Sequence, residues 1–341
     1  MATKTLTRLL STSISQQLNK KIGLVGSCFD KGQPRDGVQY GPKAFRENGL
    51  IQKFDDLHLD YKDYGDINVK DVLENQSDLS TSTSPAKLPE KLINSKLKNV
   101  QLVADFSKLL SEKVHQCLKD DRICLNIGGD HTLAIGSLFG HIKFNPKFSV
   151  LWIDAHGDVN TEKTTNSGNI HGMVLSFFIQ GIQSEIENSP DLTSLFHSIP
   201  PNLDCSSLCY IGLRDLDPPE RHLLDSLQIK YFTMGDVDKL GISETTSRAL
   251  DILKPSANKP LHVSFDADSL DPCYAPSTGT PVPGGLTLDE ALTLAKTVSA
   301  TNAIRCIDFV EVNPKIGEAK DVIKTVDNSI KILLSLLGVT K

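Results

Sequence analysis

Six short runs of apolar and β-branched residues constrain the fold of this chain more than any other feature. The runs are mostly apolar along their whole length, whereas a strand with one solvated face would alternate apolar and polar residues. Strands of parallel sheets have this character because helices cover both of their faces. The six predicted strands are Lys21–Gly26, Arg122–Ile127, Phe148–Ile153, Leu208–Leu213, Leu261–Phe265 and Ile304–Val310.

Helical patterns separate these strands. Apolar residues recur with i, i+3, i+4 spacing between Val103 and Leu118, and Thr287 with Glu290 forms a capping-box signature that opens a helix over Leu288–Val298. The alternation predicts an α/β fold with three layers, in which helices flank a mostly parallel sheet. Without an internal repeat or a clear boundary, we expect one domain over 21–341, with a flexible loop rich in Ser, Thr, Lys and Pro at 78–98.

Composition excludes several classes of function. The net charge of −6 argues against nucleic acid as the main partner, and no apolar run reaches the roughly 18 residues of a membrane span. The seven cysteines are odd in number and form no CxxC pair, which favours free thiols in a reducing compartment.

The first 20 residues differ from the rest of the chain. They are basic and rich in Ser and Thr, and the first acidic residue is Asp30. Such a segment is typical of a mitochondrial transit peptide, but a frayed tail of a cytoplasmic protein fits the same composition. Both interpretations stay open, with the mitochondrial matrix as the expected location in the first case.

Polar groups suited to chemistry follow four of the predicted strands. His131 comes after the second strand, Asp154-Ala155-His156-Gly157-Asp158 after the third, Asp266 and Asp268 after the fifth, and Glu311 after the sixth. In open parallel sheets, ligands bind beyond the carboxyl ends of the strands. We therefore expect these side chains to meet in one crevice.

The spacing of these groups predicts a metal site. In an extended segment, residues i, i+2 and i+4 face the same way, so Asp154, His156 and Asp158 would converge, as would Asp266 and Asp268. Carboxylates gathered in this way repel one another unless a cation neutralises them. Six candidate ligands exceed the needs of one ion, so two ions about 4 Å apart and a hydrolytic reaction are predicted. A donor set of oxygen and imidazole favours Mn²⁺, with Zn²⁺, Fe²⁺ or Co²⁺ as alternatives. The six are His131, Asp154, His156, Asp158, Asp266 and Asp268. For Asp130 and Asp271 a role in a turn or cap is favoured.

The chain closely resembles the arginases of the ureohydrolase family from about Lys21 to Gly338. The resemblance rests on a series of motifs in one order. They are GGDH at 128–131, DAHGDVN at 154–160, SGNIHG at 167–172, YIGLRDLDPPE at 210–220, SFDADSLDP at 264–272, TGTPVPGG at 278–285 and EVNP at 311–314.

This resemblance implies a specific site. One Mn²⁺ would be held by His131, Asp154, Asp158 and Asp266, and the other by Asp154, His156, Asp266 and Asp268. Asp154 and Asp266 would bridge the two ions together with a hydroxide, which would hydrolyse L-arginine to L-ornithine and urea. The resemblance also implies an eight-stranded sheet and a homotrimer.

The remaining site residues concern the substrate and its protons. Glu311 would pair with the guanidinium in fork geometry. The family pattern places the substrate carboxylate near Asn160, Ser167 and Asn169 and the ammonium near Asp217, with Thr280 as another pocket residue. Asp215 and Glu220 could support this wall, but a surface ion pair with Arg214 or Arg221 is the favoured interpretation. His171, an imidazole outside the ligand set, would shuttle protons, and Asp158 would pass one to the leaving amine.

Three other functions remain to be distinguished. An agmatinase would not need the residues for the amino-acid end of the substrate. A single-metal deacetylase of related layout would not need His131 or the full second cluster. A non-catalytic arginine-binding protein would be expected to have lost a ligand or Glu311. All of these residues are present, which favours an arginase.

Overall fold

The fold is built on one sheet of eight parallel strands. A computed structural model describes residues 20–79, 96–182 and 203–339. The strands are β1 (Lys21–Cys28), β2 (Asp60–Asn68), β3 (Ile123–Gly128), β4 (Ser149–Ile153), β5 (Leu208–Leu213), β6 (Lys230–Thr233), β7 (Leu261–Asp266) and β8 (Ile304–Val310). Their order across the sheet is β2-β1-β3-β8-β7-β4-β5-β6. The predicted α/β class and the eight-stranded sheet are confirmed.

Helices cover both faces of this sheet. Among the described residues they are α1 (Gly41–Glu47), α2 (Leu50–Asp56), α3 (Val69–Leu79), α4 (Val100–Lys119), α5 (Leu133–Phe144), α6 (Pro218–Ser226), α7 (Met234–Leu240), α8 (Ile242–Leu253), α9 (Leu288–Ser299) and α10 (Ala319–Leu336). The capping box predicted for α9 is present, since Thr287 Oγ1 accepts the Glu290 N–H at 3.2 Å and the Glu290 carboxylate accepts the Thr287 N–H at 2.9 Å. None of the described helices is long and apolar enough to span a bilayer.

Strand β4 shows why the central strands are apolar throughout. Val150 and Trp152 belong to the core beneath α4 and α5, whereas Leu151 and Ile153 belong to the core on the opposite face. Both sets are fully buried. Successive side chains of β4 point to opposite faces of the sheet, and both faces are covered, so β4 has no face exposed to solvent.

The two edge strands, β2 and β6, escape sequence prediction. Residues of β2 are mostly exposed or half-buried, and those of β6 are half-buried or exposed. Each edge strand pairs on one side only, with β1 and β5 respectively. The pattern of a doubly covered strand is therefore absent from both segments.

Helices α4 and α5 pack closely on one face. Gly136 of α5 permits this approach, because a Cβ there would lie 2.7 Å from the Ser107 carbonyl oxygen and 2.9 Å from Leu110 Cβ. This packing fixes the helix that begins two residues after His131.

Two predicted segments fall largely outside the described residues. The possible transit peptide at 1–20 is described only at Lys20, and the loop predicted at 78–98 lies mostly at 80–95. The loop's start was placed too early, because α3 continues to Leu79.

Candidate metal centre

The six predicted metal ligands lie at the carboxyl ends of three central strands. His131 follows β3, Asp154, His156 and Asp158 follow β4, and Asp266 is the last residue of β7, with Asp268 in the 3-10 turn that comes next. Glu311 follows β8, and these four strands are adjacent in the order β3-β8-β7-β4. The sheet therefore brings all seven groups to one crevice.

A first cluster surrounds His131. Its Nδ1 lies 2.9 Å from Asp158 Oδ2, 3.1 Å from Asp266 Oδ2 and 3.2 Å from Asp154 Oδ2. These four side chains are buried. A nitrogen and three oxygens so close together match the donor set of a small divalent ion.

A second cluster lies around His156. Its Nδ1 is 3.2 Å from Asp268 Oδ2 and 3.4 Å from Asp154 Oδ1. Asp154 thus presents one carboxylate oxygen to each cluster. Asp266 belongs to the first cluster through its Oδ2, whereas its Oδ1 accepts the Asp268 N–H at 2.8 Å.

The expectation that Asp154, His156 and Asp158 converge through an extended segment is wrong. Strand β4 ends at Ile153, and Asp158 has a left-handed backbone with φ of 49°. The Asp154 carboxylate instead accepts the His156 N–H at 2.8 Å, two residues ahead. This side-chain turn, like that of Asp266 and Asp268, brings residues i and i+2 to the same point.

The buried polar atoms of this centre fit a metal ion. His131 Nε2 contacts Ser264 Oγ at 2.8 Å, whereas Nδ1 meets none of its three oxygens in hydrogen-bond geometry. Burial would lower the pKa of His131, but the charge of Asp158 and the neighbouring carboxylates raise that pKa well above its usual value. Burial is the main cause and the charge of Asp154 the second cause that raise the pKa of Asp158, which reaches about 6. One proton on His131 Nδ1 neutralises only part of the negative charge of these carboxylates, and divalent ions would neutralise more of it.

Sequence reasoning missed two residues that support the first cluster. The Trp152 ring stacks on His131 with centroids 4.3 Å apart and planes 5° apart, and its Nε1 donates to Asp154 Oδ2 at 3.0 Å. Ser264 holds the far nitrogen of His131. Each lies two residues before a ligand on its strand, so period-2 alternation could have found both.

A cavity of about 280 Å³ opens beside the clusters. Glu311 lies in its wall with φ of 63°, and its Oε1 accepts the His131 N–H at 2.9 Å. His171 Nδ1 is 3.6 Å from the same oxygen. Burial would lower the pKa of His171, but the hydrogen bond and charge of Glu311 raise it. The structure brings the residues predicted for the substrate to this same cavity, namely Asn160, Ser167, Asn169, Asp217 and Thr280.

Contacts within the wall refine two predictions. Thr280 Oγ1 donates to Asp268 Oδ2 at 2.7 Å, so it supports a candidate ligand as well as lining the cavity. Asn160 Nδ2 donates to Asp217 Oδ2 at 3.1 Å, which joins the positions predicted for carboxylate and ammonium recognition.

Glu220 supports the wall and is not a surface residue. It is buried and accepts the backbone N–H groups of Val159 and Asp217, both at 3.1 Å. Burial raises its pKa to about 7. Arg214 donates to backbone carbonyls, including that of Asp268, so the favoured surface ion pair is wrong for Glu220. Asp215 is exposed, and its Oδ2 lies 3.7 Å from His156 Nε2.

The turn roles predicted for Asp130 and Asp271 are confirmed. The Asp130 carboxylate accepts the N–H groups of Gly32 and Thr132, at 2.7 and 3.0 Å. That of Asp271 accepts the N–H of Cys273 at 3.0 Å.

Comparisons with known proteins agree on one family. The model of the arginase family matches residues 20–338. Human Arginase-1 is 39% identical over 324 residues, which cover 95% of this chain and 94% of that protein. The human protein named "Arginase-2, mitochondrial" is 37% identical over 340 residues, covering 98% of this chain and 91% of its own. The crystal structure of an arginase from Bacillus cereus superposes with a TM-score of 0.78 at 32% identity, covering 94% and 98% of the two chains.

Proposed function

The chain belongs to the arginase family, and we propose that it hydrolyses L-arginine to L-ornithine and urea with two Mn²⁺ ions. Enzymes of this family are hydrolases of the guanidino C–N bond with a binuclear metal centre. The observation that carries the proposal is the pair of His/Asp clusters that share Asp154, beside a cavity lined by Glu311.

Each ion would have its own ligand set. His131, Asp154, Asp158 and Asp266 would hold one, and Asp154, His156, Asp266 and Asp268 the other. When bound, the ions lower the pKa of water so that hydroxide is available near neutral pH. Mn²⁺ suits these donors because carboxylate oxygens predominate and thiolates are absent from the six residues.

Glu311 would bind and orient the guanidinium. Its carboxylate is buried, and the His131 N–H holds Oε1 at 2.9 Å, so the side chain is fixed before substrate arrives. A carboxylate and a guanidinium pair through two parallel hydrogen bonds, which set the plane of the substrate. The guanidinium carbon would thereby face the metal clusters.

The amino-acid end of L-arginine would lie against the opposite wall. Asn160, Ser167 and Asn169 offer neutral donors to the carboxylate, and Asp217 offers a negative charge to the ammonium. The Asn160–Asp217 hydrogen bond keeps these two positions together. Agmatine lacks the carboxylate, so this wall favours L-arginine.

Two groups would move protons. His171 is half-buried beside Glu311 and outside both clusters, which suits an imidazole that exchanges protons with solvent. Asp158 would pass a proton to the amine of L-ornithine as the C–N bond breaks.

Urea release from two substrates tests this proposal. The purified full-length chain, loaded with Mn²⁺, should release urea from L-arginine much faster than from agmatine. Equal or greater release from agmatine would make the protein an agmatinase. If neither substrate yields urea although two metal ions are bound per chain, the enzymatic proposal is wrong.

We also propose a mitochondrial location and a homotrimer. The basic N-terminus supports the first, together with the alignment of 340 residues to a relative whose name includes "mitochondrial". Family membership supports the second. Imaging a C-terminal fluorescent fusion with and without residues 1–20, and analytical ultracentrifugation of the purified chain, test them. A cytoplasmic full-length fusion would contradict the first proposal, and a mass other than three chains the second.

A further inference from the structure

The cavity is strongly acidic for a site that accepts an anion. Of the described residues, those that line it include seven carboxylates but no lysine or arginine. Metal ions would neutralise those at the cluster end. The other end, formed by the 160–169 loop, would face the substrate carboxylate with neutral donors only. This end therefore depends on how the loop places those donors.

Hydrogen bonds within the 160–169 loop shape its turn: Thr164 Oγ1 accepts the Thr161 N–H at 2.8 Å and donates to Asn160 Oδ1 at 2.9 Å. The loop contains neither a helix nor a strand. Its turn is closed by the Thr164 and Thr165 N–H groups, which donate to the Thr161 carbonyl at 3.2 and 2.9 Å, and by the Gly168 N–H, which donates to Thr165 Oγ1 at 3.1 Å. These bonds close the turn, but the placement of the loop beside the cavity depends also on contacts with other parts of the chain.

Asn160 is held at the start of the loop by the Gly172 carbonyl, which accepts its N–H at 3.0 Å, and the rest of the loop is supported by residues 96–98, distant in sequence. Lys96 Nζ donates to the Thr165 carbonyl at 2.8 Å and to the Lys163 carbonyl at 3.4 Å. The Lys98 N–H donates to the Gly168 carbonyl at 2.9 Å. The two backbones are in direct contact, because a Cβ on Gly168, whose φ is +72°, would lie 2.0 Å from the Lys96 carbonyl oxygen.

We propose that Lys96 is a positioning residue that makes the 160–169 loop a receptor for the substrate carboxylate. This inference rests on the proposed function. The ammonium binds two carbonyls of the loop, which fixes the loop between Asn160 and Asn169. It also places a positive charge behind donors that otherwise stand in an acidic cavity. The substrates selected in this way are guanidino compounds with a carboxylate at the other end.

The test removes the charge of Lys96 and compares ligands with and without a carboxylate. Lys96→Met keeps the length of the side chain but removes the ammonium, and Lys96→Arg keeps the charge. Lys113→Met is the matched control, because Lys113 Nζ also donates to a backbone carbonyl, that of Tyr64 on edge strand β2, at 2.7 Å. Each Mn²⁺-loaded full chain is assayed with L-arginine and with agmatine. For agmatine the assay gives a KM if the compound is hydrolysed, or a Ki for inhibition of L-arginine hydrolysis if it only competes.

Lys96→Met should raise the KM for L-arginine roughly tenfold, the effect expected when a charge-assisted hydrogen bond is lost, with kcat within about twofold of the unmodified chain. The agmatine constant should not change. Lys96→Arg should recover most of the L-arginine affinity, and Lys113→Met should match the unmodified chain. An unchanged KM for L-arginine in Lys96→Met would overturn the proposal, as would an equal loss for both ligands.

Failure of the proposed function is distinguishable from failure of this inference. If the unmodified chain releases no urea, calorimetric titration with L-ornithine and 1,4-diaminobutane measures the same comparison without turnover. Weaker binding of L-ornithine alone to Lys96→Met would still support the role of Lys96. Unchanged L-ornithine binding, or equal weakening of both amines, would refute it.

Discussion

Ser264 should control the affinity of the first metal site although it is not a ligand. Its Oγ lies 2.8 Å from His131 Nε2, and Ser264 and His131 are both buried. A ligand histidine whose far nitrogen is bound keeps its ring orientation and its basicity. Ser264→Ala would leave that nitrogen without its partner in a site closed to solvent.

The expected magnitude follows from this burial. An unsatisfied buried N–H costs about 1–3 kcal/mol, and loss of a partner to a ligand histidine typically costs about 10–100-fold in metal affinity. We therefore expect Mn²⁺ to bind the His131 site roughly 10- to 100-fold more weakly in Ser264→Ala. The His156 site should change much less, because Ser264 makes no described contact with His156.

Trp152 provides the assay. It is the only tryptophan in the sequence and stacks on His131, so binding of Mn²⁺ at this site should alter its fluorescence. A titration with free Mn²⁺, checked by equilibrium dialysis and elemental analysis, gives the affinity. Ser149→Ala is the control, since Ser149 is equally buried and donates to the Leu253 carbonyl at 2.9 Å from the opposite end of β4. Equal Mn²⁺ affinity in Ser264→Ala and the unmodified chain would refute the reasoning, and so would an equal loss in Ser149→Ala.

Three further predictions concern the centre and the fold. Asp158→Ala should abolish urea release and weaken the binding of one ion; full retained activity would contradict its role. Without metal, the neighbouring carboxylates raise the pKa values of His131 and His156. These two histidines therefore stabilise the metal-free fold below their unfolded pKa of about 6.5, and this stabilisation is lost as pH rises through their folded pKa values. Since Mn²⁺ displaces those protons, the gain in Tm on loading should grow from about pH 6 to about pH 8 by calorimetry, and a constant gain would count against this linkage. Gly136→Ala should lower the free energy of unfolding by about 1–3 kcal/mol in urea titrations because it overpacks α4, whereas Gly235→Ala, which has room for a Cβ, should not; equal values would contradict the packing argument.

The central strands were predictable because burial on both faces of the sheet makes them apolar along most of their length. Leu208–Leu213 and Ile304–Val310 were predicted with the bounds that the structure gives. Edge strand Asp60–Asn68 carries charged residues on a partly exposed surface, so its pairing with β1 depends on backbone hydrogen bonds that leave no pattern in the sequence. The order of the strands has the same origin, and the sequence analysis did not predict it.

The candidate site was predictable where it depends on strand ends and not where it depends on distant contacts. Asp154 and Asp266 directly follow or end apolar runs, and His131 comes a few residues after one, so their convergence follows from a parallel sheet. The bond from Lys96 to Thr165 joins residues 69 positions apart, and neither residue belongs to a strand. No local rule relates such a pair.

The geometry of the ligands comes from one local device used at the end of three strands. The carboxylates of Asp130, Asp154 and Asp266 each accept the N–H of the residue two positions ahead, at 2.8–3.0 Å. In the second and third cases the residue so held is itself a candidate ligand. In the first case the turn ends at the start of α5 and places His131 between the two bonded residues. An aspartate at these positions therefore sets the backbone conformation and also supplies negative charge. Asparagine would keep the turn but remove that charge. Asp154→Asn and Asp266→Asn therefore separate metal binding from folding better than changes to alanine.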